Sequence, residues 1–167
     1  IGLTLGTGIG SGLVVNKMLY SGASGRATEF GHMTIVENGF ICSCGKRGHM
    51  EAYGSGNGMI RLFEQFTGRK EDTFTIENMA KDGDLKARSV IRIMSDALGI
   101  GIANIINCLE PEAVVIGGGI TRIKMLWRPM IAKARKEALY SAHTKIKIIH
   151  ATLNDSAPIL GAALIAE

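Results

Sequence analysis

The spacing of apolar residues changes along the chain and predicts strands first, followed by strands that alternate with helices. Residues 1–20 contain short apolar runs separated by glycines, which predicts three strands, a turn at "GTGIGSG" and a hairpin near Asn16-Lys17. The remaining strand-like runs are "HMTIV", "AVVIGGG" and "KIKIIHA", at residues 32–36, 113–119 and 145–151.

Helical spacing is strongest over residues 84–111, where apolar side chains recur near the 3.6-residue period until Pro111 ends the pattern. A second long helix is predicted at residues 121–140, with Pro129 early in its regular part. The chain ends in a predicted helix at residues 158–167, which has a proline near its first turn.

Two shorter helical segments lie between the N-terminal strands and the long helix. Residues 50–68 look helical but are interrupted by glycines, with Ser55 as a candidate N-cap for the second part and Gly68 as its end. Residues 74–83 form the other segment, with Thr75 as a candidate cap. The order β-β-β-α-α-β-α-β-α predicts a single α/β domain over residues 1–167, with a mixed sheet flanked by helices.

Composition narrows the function classes only a little. The net charge is +4 and the basic residues are dispersed, without the basic cluster interleaved with aromatics that indicates a nucleic-acid site. No stretch has the uninterrupted apolar length of a membrane span. Three cysteines unsuited to pairing indicate a reducing compartment, so we expect a cytoplasmic protein. Because Ile1 is not methionine and already lies in a predicted strand, we expect the chain to be part of something longer.

Two glycine turns follow predicted strands and are candidate phosphate or nucleotide sites. Successive amides in "LGTGIGSG", together with the Thr7 hydroxyl, can form a nest for phosphate oxygens, and a tight hairpin is an equally good interpretation. The turn at Gly117–Gly119 is either a ligand-binding turn beyond a strand end or an ordinary strand-to-helix bend. The candidate residues are Gly6, Thr7, Gly8, Gly10, Gly117, Gly118 and Gly119.

The Cys/His loop, residues 38–49, is a candidate metal site. Cys42 and Cys44 are too close in sequence to bridge without strain, and His49 follows within the same glycine-rich segment. With His32 as a fourth ligand, two thiolates and two imidazoles suit tetrahedral Zn²⁺. The alternative is a pair of reduced cysteines beside a surface histidine.

Two carboxylates flank this loop and are candidate sugar ligands. Glu29 and Glu51 can be fixed beside a metal-bound loop, where carboxylates would accept hydrogen bonds from sugar hydroxyls. The alternative is that Glu51 begins a helix and interacts with its N-terminal dipole, while Glu29 is a surface residue.

These segments together resemble the ROK family (repressors, open reading frames and sugar kinases), in its C-terminal lobe. The resemblance rests on "LGTGIGSGLVVNKMLYSGASGRATEFGH", "CSCGKRGHMEAYGSG", "LGIGIANIINCLEPEAVVIGGG" and the terminal "GAALIA". It implies the actin-like ATPase (ribonuclease H-like) fold, with ATP and a sugar in the cleft between two lobes.

The resemblance also implies roles for individual residues. Gly6–Gly12 is similar to the family's second phosphate loop, and Gly117–Gly119 to its adenosine-side turn. Glu29, His32 and Glu51 are similar to residues that contact sugar hydroxyls in family kinases. The implied cofactors are MgATP as co-substrate and a structural Zn²⁺ bound by His32, Cys42, Cys44 and His49.

Three departures from the family pattern stand out. His49 occupies the position of the usual third cysteine, and Thr28 precedes Glu29 where glycine is usual. The N-terminal lobe is missing, and with it the catalytic Asp. Asp155 is not expected to replace the catalytic Asp, because its surroundings predict a turn or helix-cap residue. We therefore expect this chain alone to be inactive.

The resemblance leaves two functions open. The first is the C-terminal lobe of an ATP-dependent hexose kinase similar to glucokinase, favoured because the phosphate-loop glycines are intact. The alternative is the sugar-sensing effector lobe of a ROK transcriptional repressor, which would also bind DNA. Because family members commonly dimerise through this lobe, a homodimer is expected in either case.

Overall fold

The centre of the molecule is a four-stranded mixed sheet. A computed structural model of the chain describes residues 1–139 and 146–153. The strands are β1 (Gly2–Leu5), β2 (Ile9–Gly12), β3 (Val14–Val15), β4 (Met18–Leu19), β5 (Ala113–Gly117) and β6 (Lys147–His150). The central sheet has the order β2-β1-β5-β6, and β3 and β4 form a separate hairpin. Its turn is at Asn16-Lys17, as predicted, and both residues have positive φ.

The direction of the strands brings the two glycine turns to the same edge of the sheet. β2 is antiparallel to β1, whereas β5 is parallel to β1 and pairs Gly117 with Thr4. Since parallel strands end at the same edge, the turn after Leu5 and the turn after Gly117 are neighbours. The predicted mixed sheet is confirmed, and its topology places both candidate phosphate turns together.

Within the described residues, five α-helices pack with the sheet, and aspartate or serine side chains cap three of them. They are α1 (Glu51–Gly54), α2 (Gly56–Thr67), α3 (Thr73–Lys81), α4 (Leu85–Leu109) and α5 (Lys124–Glu137). Ser55 accepts a hydrogen bond from the Gly58 amide and begins α2, while Gly68 ends it in the left-handed conformation. Asp84 caps α4 in the same way.

The core forms around α4, as its long apolar pattern predicts. This helix has a mean hydropathy of 1.5 over its most apolar window and is long enough to cross a bilayer. However, 67% of that window is buried inside the protein, which is typical of the core helix of a water-exposed fold. Its buried side chains pack with those of α2, α3, α5 and the sheet.

Three predicted local features differ from the structure. Ile9–Gly12, predicted as part of a turn, forms β2 despite its glycines, because it pairs in register with β1. "HMTIV" is not a strand: Phe30–His32 is a short 3₁₀ helix, and Thr34 makes a single bridge to His49. Its backbone is instead bonded to the Cys/His loop, since the Ile35 and Val36 amides donate to Gly48.

The third difference is the cap of α3. The cap is Asp72, which accepts from the Thr75 amide at 2.8 Å, so Thr75 lies in the first turn of the helix. A carboxylate accepts this bond well and also favours the positive end of the helix dipole. The predicted terminal helix at residues 158–167, and Asp155, lie outside the described residues.

Candidate active-site cleft and metal site

The turn between β1 and β2 is attached to the start of α2. The Gly56 amide donates to the Gly6 carbonyl at 2.8 Å, and the Asn57 amide donates to the Thr7 carbonyl at 3.3 Å. Within residues 1–139 and 146–153, no acceptor is found for the amides of Thr7 and Gly8. These two amides are therefore available to an anion in the way a phosphate nest requires.

The second turn, after β5, has a conformation that only glycine adopts without strain. Gly118 has a φ of +94°, and a Cβ there would lie 2.4 Å from the Leu5 carbonyl oxygen. The Thr121 hydroxyl donates to the Gly118 carbonyl at 2.6 Å, and the Trp127 indole donates to the Thr121 carbonyl at 2.8 Å. The glycine turn is thus fixed by side chains that follow it in the chain.

Both turns contribute to one cleft of about 540 Å³. A smaller cavity of about 280 Å³ shares Thr7 and Asn57 with it. The larger cleft is lined by Gly6, Thr7, Gly56, Asn57, Ile60, Thr73, Phe74, Glu77, Gly119, Ile120, Arg122 and Ile123. The smaller cavity contains Glu51, together with Gly8, Cys42 and Ser43. Two adjoining compartments therefore meet at the β1–β2 turn.

The four predicted metal ligands lie together. The candidate ligand atoms of His32, Cys42, Cys44 and His49 are all within 4.8 Å of one another. Cys42 Sγ lies 3.5 Å from His32 Nδ1, and Cys44 Sγ lies 3.3 Å from His49 Nδ1. Tetrahedral Zn–S and Zn–N bonds place such atoms about 3.5 Å apart. The donor set and its spacing therefore fit Zn²⁺.

Glycines in the Cys/His loop make this convergence geometrically feasible. Gly45 and Gly48 have φ values of +86° and +76°, which L side chains rarely adopt. A Cβ at Gly48 would also lie 1.7 Å from the Val36 carbonyl oxygen. The loop is closed by backbone bonds, such as the 2.7 Å bond from the Cys42 amide to the Lys46 carbonyl.

Burial changes the protonation of the ligands. His49 is only 5% exposed, and its pKa is lowered, first by burial and then by the charges of His32 and Lys46. The neutral imidazole that a metal requires is therefore favoured. Burial also raises the pKa of the Cys42 thiol. The interpretation of His49 as a surface histidine is wrong, because the loop folds its ring inward.

Glu51 connects the Cys/His loop to the β1–β2 turn. One carboxylate oxygen accepts from the Ile9 amide at 2.9 Å, and the other accepts from the Ser43 hydroxyl at 2.8 Å. The Cys42 thiol donates to the same second oxygen at 3.5 Å. Burial tends to raise the pKa of Glu51, but these hydrogen bonds and nearby His32 lower it overall. Glu51 is also the first residue of α1, as the helix-start interpretation predicted, and its role as a sugar ligand stays a prediction.

Glu29 lies at the exposed side of the same region. Its carboxylate is 3.8 Å from His32 Nε2, and its side chain is 66% exposed. The preceding Thr28 has a φ of +69°, an uncommon value for a β-branched residue. Ser11 of β2 fixes this segment, because its hydroxyl donates to the Thr28 carbonyl and accepts from the Phe30 amide.

The structure brings most of the predicted site residues to this region, though not into one cavity. Gly6, Thr7 and Gly119 line the larger cleft, and Gly8 and Glu51 line the smaller cavity. Three other candidate glycines do not line the larger cleft. Gly10 is within β2, Gly117 ends β5, and Gly118 supports the turn after β5.

Sequence reasoning missed the residues that form the rest of the larger cleft. Asn57, Thr73, Phe74 and Glu77 come from the first turns of α2 and from α3. One signal was available: Phe74 does not follow the buried positions Ile76 and Ala80 of its helix. An aromatic residue off the core-facing side indicates a surface with another use.

Comparison with known proteins assigns this arrangement to a family. The profile of the ROK family matches residues 1–167. The chain belongs to the ROK family. Its resemblance to that family is therefore confirmed, and the α/β fold with a mixed sheet is the one found in ROK kinase structures.

Relatives in this family include both enzymes and repressors. The chain is 33% identical to an N-acetyl-D-glucosamine kinase of Vibrio cholerae, covering 99% of this chain and 58% of that protein. It is 32% identical to a xylose repressor of Bacillus subtilis, covering 95% and 41%. A Streptomyces griseus ROK glucokinase crystallised with glucose and AMPPNP superposes with a TM-score of 0.84, at 27% identity, covering 98% and 59%. The chain spans about half the length of the proteins it matches.

Proposed function

We propose that the chain is the C-terminal lobe of an ATP-dependent hexose kinase. MgATP would occupy the larger cleft, and the sugar would lie toward Glu51 in the smaller cavity. The observation that carries the proposal is that these compartments adjoin at Thr7 and Asn57. Phosphoryl transfer depends on holding donor and acceptor in line, and two adjoining sites meet that need.

The residues divide into two groups by their contacts. The amides of Thr7 and Gly8 would bind phosphate oxygens, with Gly10 and Gly117–Gly119 shaping the two turns. Glu29, His32 and Glu51 would bind sugar hydroxyls, because carboxylate and imidazole groups are good hydrogen-bond partners for them. The catalytic base, an Asp in family kinases, would come from the part of the protein that precedes this chain.

Zinc has a structural role in this proposal. His32, Cys42, Cys44 and His49 would bind the ion, which would fix the Cys/His loop and with it Ser43, whose hydroxyl donates to Glu51. A closed four-ligand site leaves no coordination position for substrate, so the ion supplies order to the loop.

We further propose that the complete protein is a cytoplasmic homodimer.

The test is a coupled ADP-release assay on the full-length protein with MgATP and a panel of hexoses and N-acetylhexosamines. We expect sugar-dependent ADP release, a loss of about 100-fold in kcat/KM in Glu51→Gln, and no turnover by residues 1–167 alone. Sugar binding without ADP release would contradict the kinase proposal.

That contradictory result would favour the second candidate, the effector lobe of a repressor. The observation behind this candidate is the similarity to the xylose repressor, which extends over 95% of this chain. A repressor would bind sugar without consuming ATP, and its complete form would bind a DNA operator in a sugar-dependent manner. A DNA-shift assay on the same full-length protein distinguishes the two functions.

A further inference from the structure

Helix α3 presents an aromatic ring to the larger cleft. Phe74 lines this cleft and is 70% exposed, although burial of a phenylalanine ring stabilises a fold. The same helix buries Ile76 and Ala80 completely against the core. Phe74 and Glu77, three residues apart, lie on one side of the helix and both line the cleft.

The surroundings of this ring are suited to a flat apolar group. Ile60, Ile120 and Ile123 line the same cleft as Phe74. The walls converge at Gly56, where a Cβ would lie 3.2 Å from the Gly6 carbonyl oxygen, 3.5 Å from Ile120 Cδ1 and 3.6 Å from Thr73 Cγ2. The cleft therefore combines the amides of the β1–β2 turn with an apolar slot.

The segment that carries the ring is fixed at both ends. Asp72 caps the helix at its start, and Glu77 forms a 2.7 Å ion pair with Lys81 one turn further on. The Glu77 side chain is only 12% exposed, so this pair is partly shielded from water. The Asp72 cap fixes the backbone that carries Phe74 beside the cleft, and aromatic stacking requires no particular hydrogen-bond pattern.

We propose that Phe74 is the base-stacking residue of the nucleotide site. This inference rests on the proposed function, because it takes the larger cleft to be the ATP site. Phosphate oxygens would bind the Thr7 and Gly8 amides, while the planar base would lie against the Phe74 ring. Phe74 thus selects for a nucleoside over a bare polyphosphate chain.

Binding of two probes to the full-length protein tests this role. Magnesium complexes of ATP and of inorganic tripolyphosphate share the phosphate chain, but only ATP has a base. We expect Phe74→Ala to weaken ATP binding roughly tenfold while leaving tripolyphosphate within twofold of the unsubstituted chain. Phe74→Trp restores ATP binding. Leu85→Ala is the matched control, since Leu85 is 76% exposed and does not line this cleft.

Each of the other possible outcomes overturns the inference and shows which part of it is wrong. Unchanged ATP binding in Phe74→Ala removes the stacking role while leaving the proposed function intact. Equal weakening of both probes shows that Phe74 supports the cleft structurally and does not contact a base. If the unsubstituted full-length protein binds neither probe at millimolar concentration, the nucleotide site of the proposed function fails together with the role of Phe74.

Discussion

The Cys/His loop and the β1–β2 turn are both glycine-rich, yet they depend on glycine for different physical reasons. In the loop, Gly45 and Gly48 have positive φ, so the backbone conformation itself excludes other residues. In the turn, Gly8 has no positive φ, but a Cβ would lie 2.6 Å from a Glu51 carboxylate oxygen. Glycine in the loop serves folding, whereas glycine in the turn leaves room for the Glu51 carboxylate.

The largest effect is expected from removing a candidate metal ligand, because the proposed zinc ion would order the loop and not the turn. Cys42→Ser should lower zinc content from about one per chain to near zero. It should also lower the melting temperature, because the free energy of binding a structural zinc ion contributes to the free energy of folding. In zinc-finger peptides this contribution is roughly 10 kcal/mol. Elemental analysis and thermal unfolding measure both changes, with Cys108→Ser as the control outside the loop. Equal zinc content in both variants would contradict the metal site.

Gly48→Ala should cause the next largest loss of stability. The added Cβ combines a disfavoured φ with a clash against the Val36 carbonyl, and we expect the free energy of unfolding to fall by about 3 kcal/mol. Gly45→Ala is a matched control, because Gly45 also has positive φ but its Cβ would meet no atom within 4 Å. It should lose only about 1 kcal/mol. Equal losses in urea unfolding would show that the clash does not matter.

Gly8→Ala should affect binding more than stability. The new methyl group would push the Glu51 carboxylate away from the Ile9 amide, and the loss of that one hydrogen bond should lower the free energy of unfolding by about 1 kcal/mol. Sugar binding by the full-length protein should weaken by about tenfold, because a hydrogen-bond acceptor has moved. Titration calorimetry measures this, with Gly12→Ala as control, since its Cβ would meet no atom within 4 Å. A large stability loss in Gly8→Ala would remove the contrast between turn and loop.

The smallest effect is expected at Thr28, which combines features of both regions. Its left-handed backbone resembles that of the loop glycines, while its hydroxyl bonds the Ser11 carbonyl at 3.1 Å. Thr28→Gly loses this hydroxyl bond but relieves the backbone strain, so the free energy of unfolding should change by less than about 1 kcal/mol. Thr28→Ala retains the strain and loses the hydroxyl bond, so it should be destabilising. If both variants destabilise equally, the hydroxyl matters more than the backbone.

Local sequence signals predicted the elements whose stability is itself local. Ser55 and Gly68 marked the ends of α2 correctly, and the apolar period of α4 gave its extent to within two residues of the observed ends. The four metal ligands were also predicted, and the structure brings them within 4.8 Å. Cysteine, histidine and glycine residues that are close in sequence can come together within one short loop. The spacing of these residues therefore predicts the cluster without knowledge of the rest of the fold.

The pairing of strands and the formation of the cleft could not be predicted from local sequence signals. Ile9–Gly12 is a strand because β1 lies beside it, although its glycines indicated a turn. The contribution of Thr73, Phe74 and Glu77 to the cleft depends on α3 packing near the β1–β2 turn, far away in sequence. The bonds from Ile9 and Ser43 to Glu51 likewise join segments that no local pattern connects.

The sequence by itself determined the family, the α/β class, the main helices and the candidate metal ligands in and beside the Cys/His loop. Each of these depends on residue types at short spacing, where the backbone fixes which side chains can meet. Only the tertiary structure decided that the two glycine turns share one edge, that Glu51 bridges loop and turn, and that Phe74 faces the cleft. Those relations depend on long-range packing, whose outcome is set by the whole core and by no single segment.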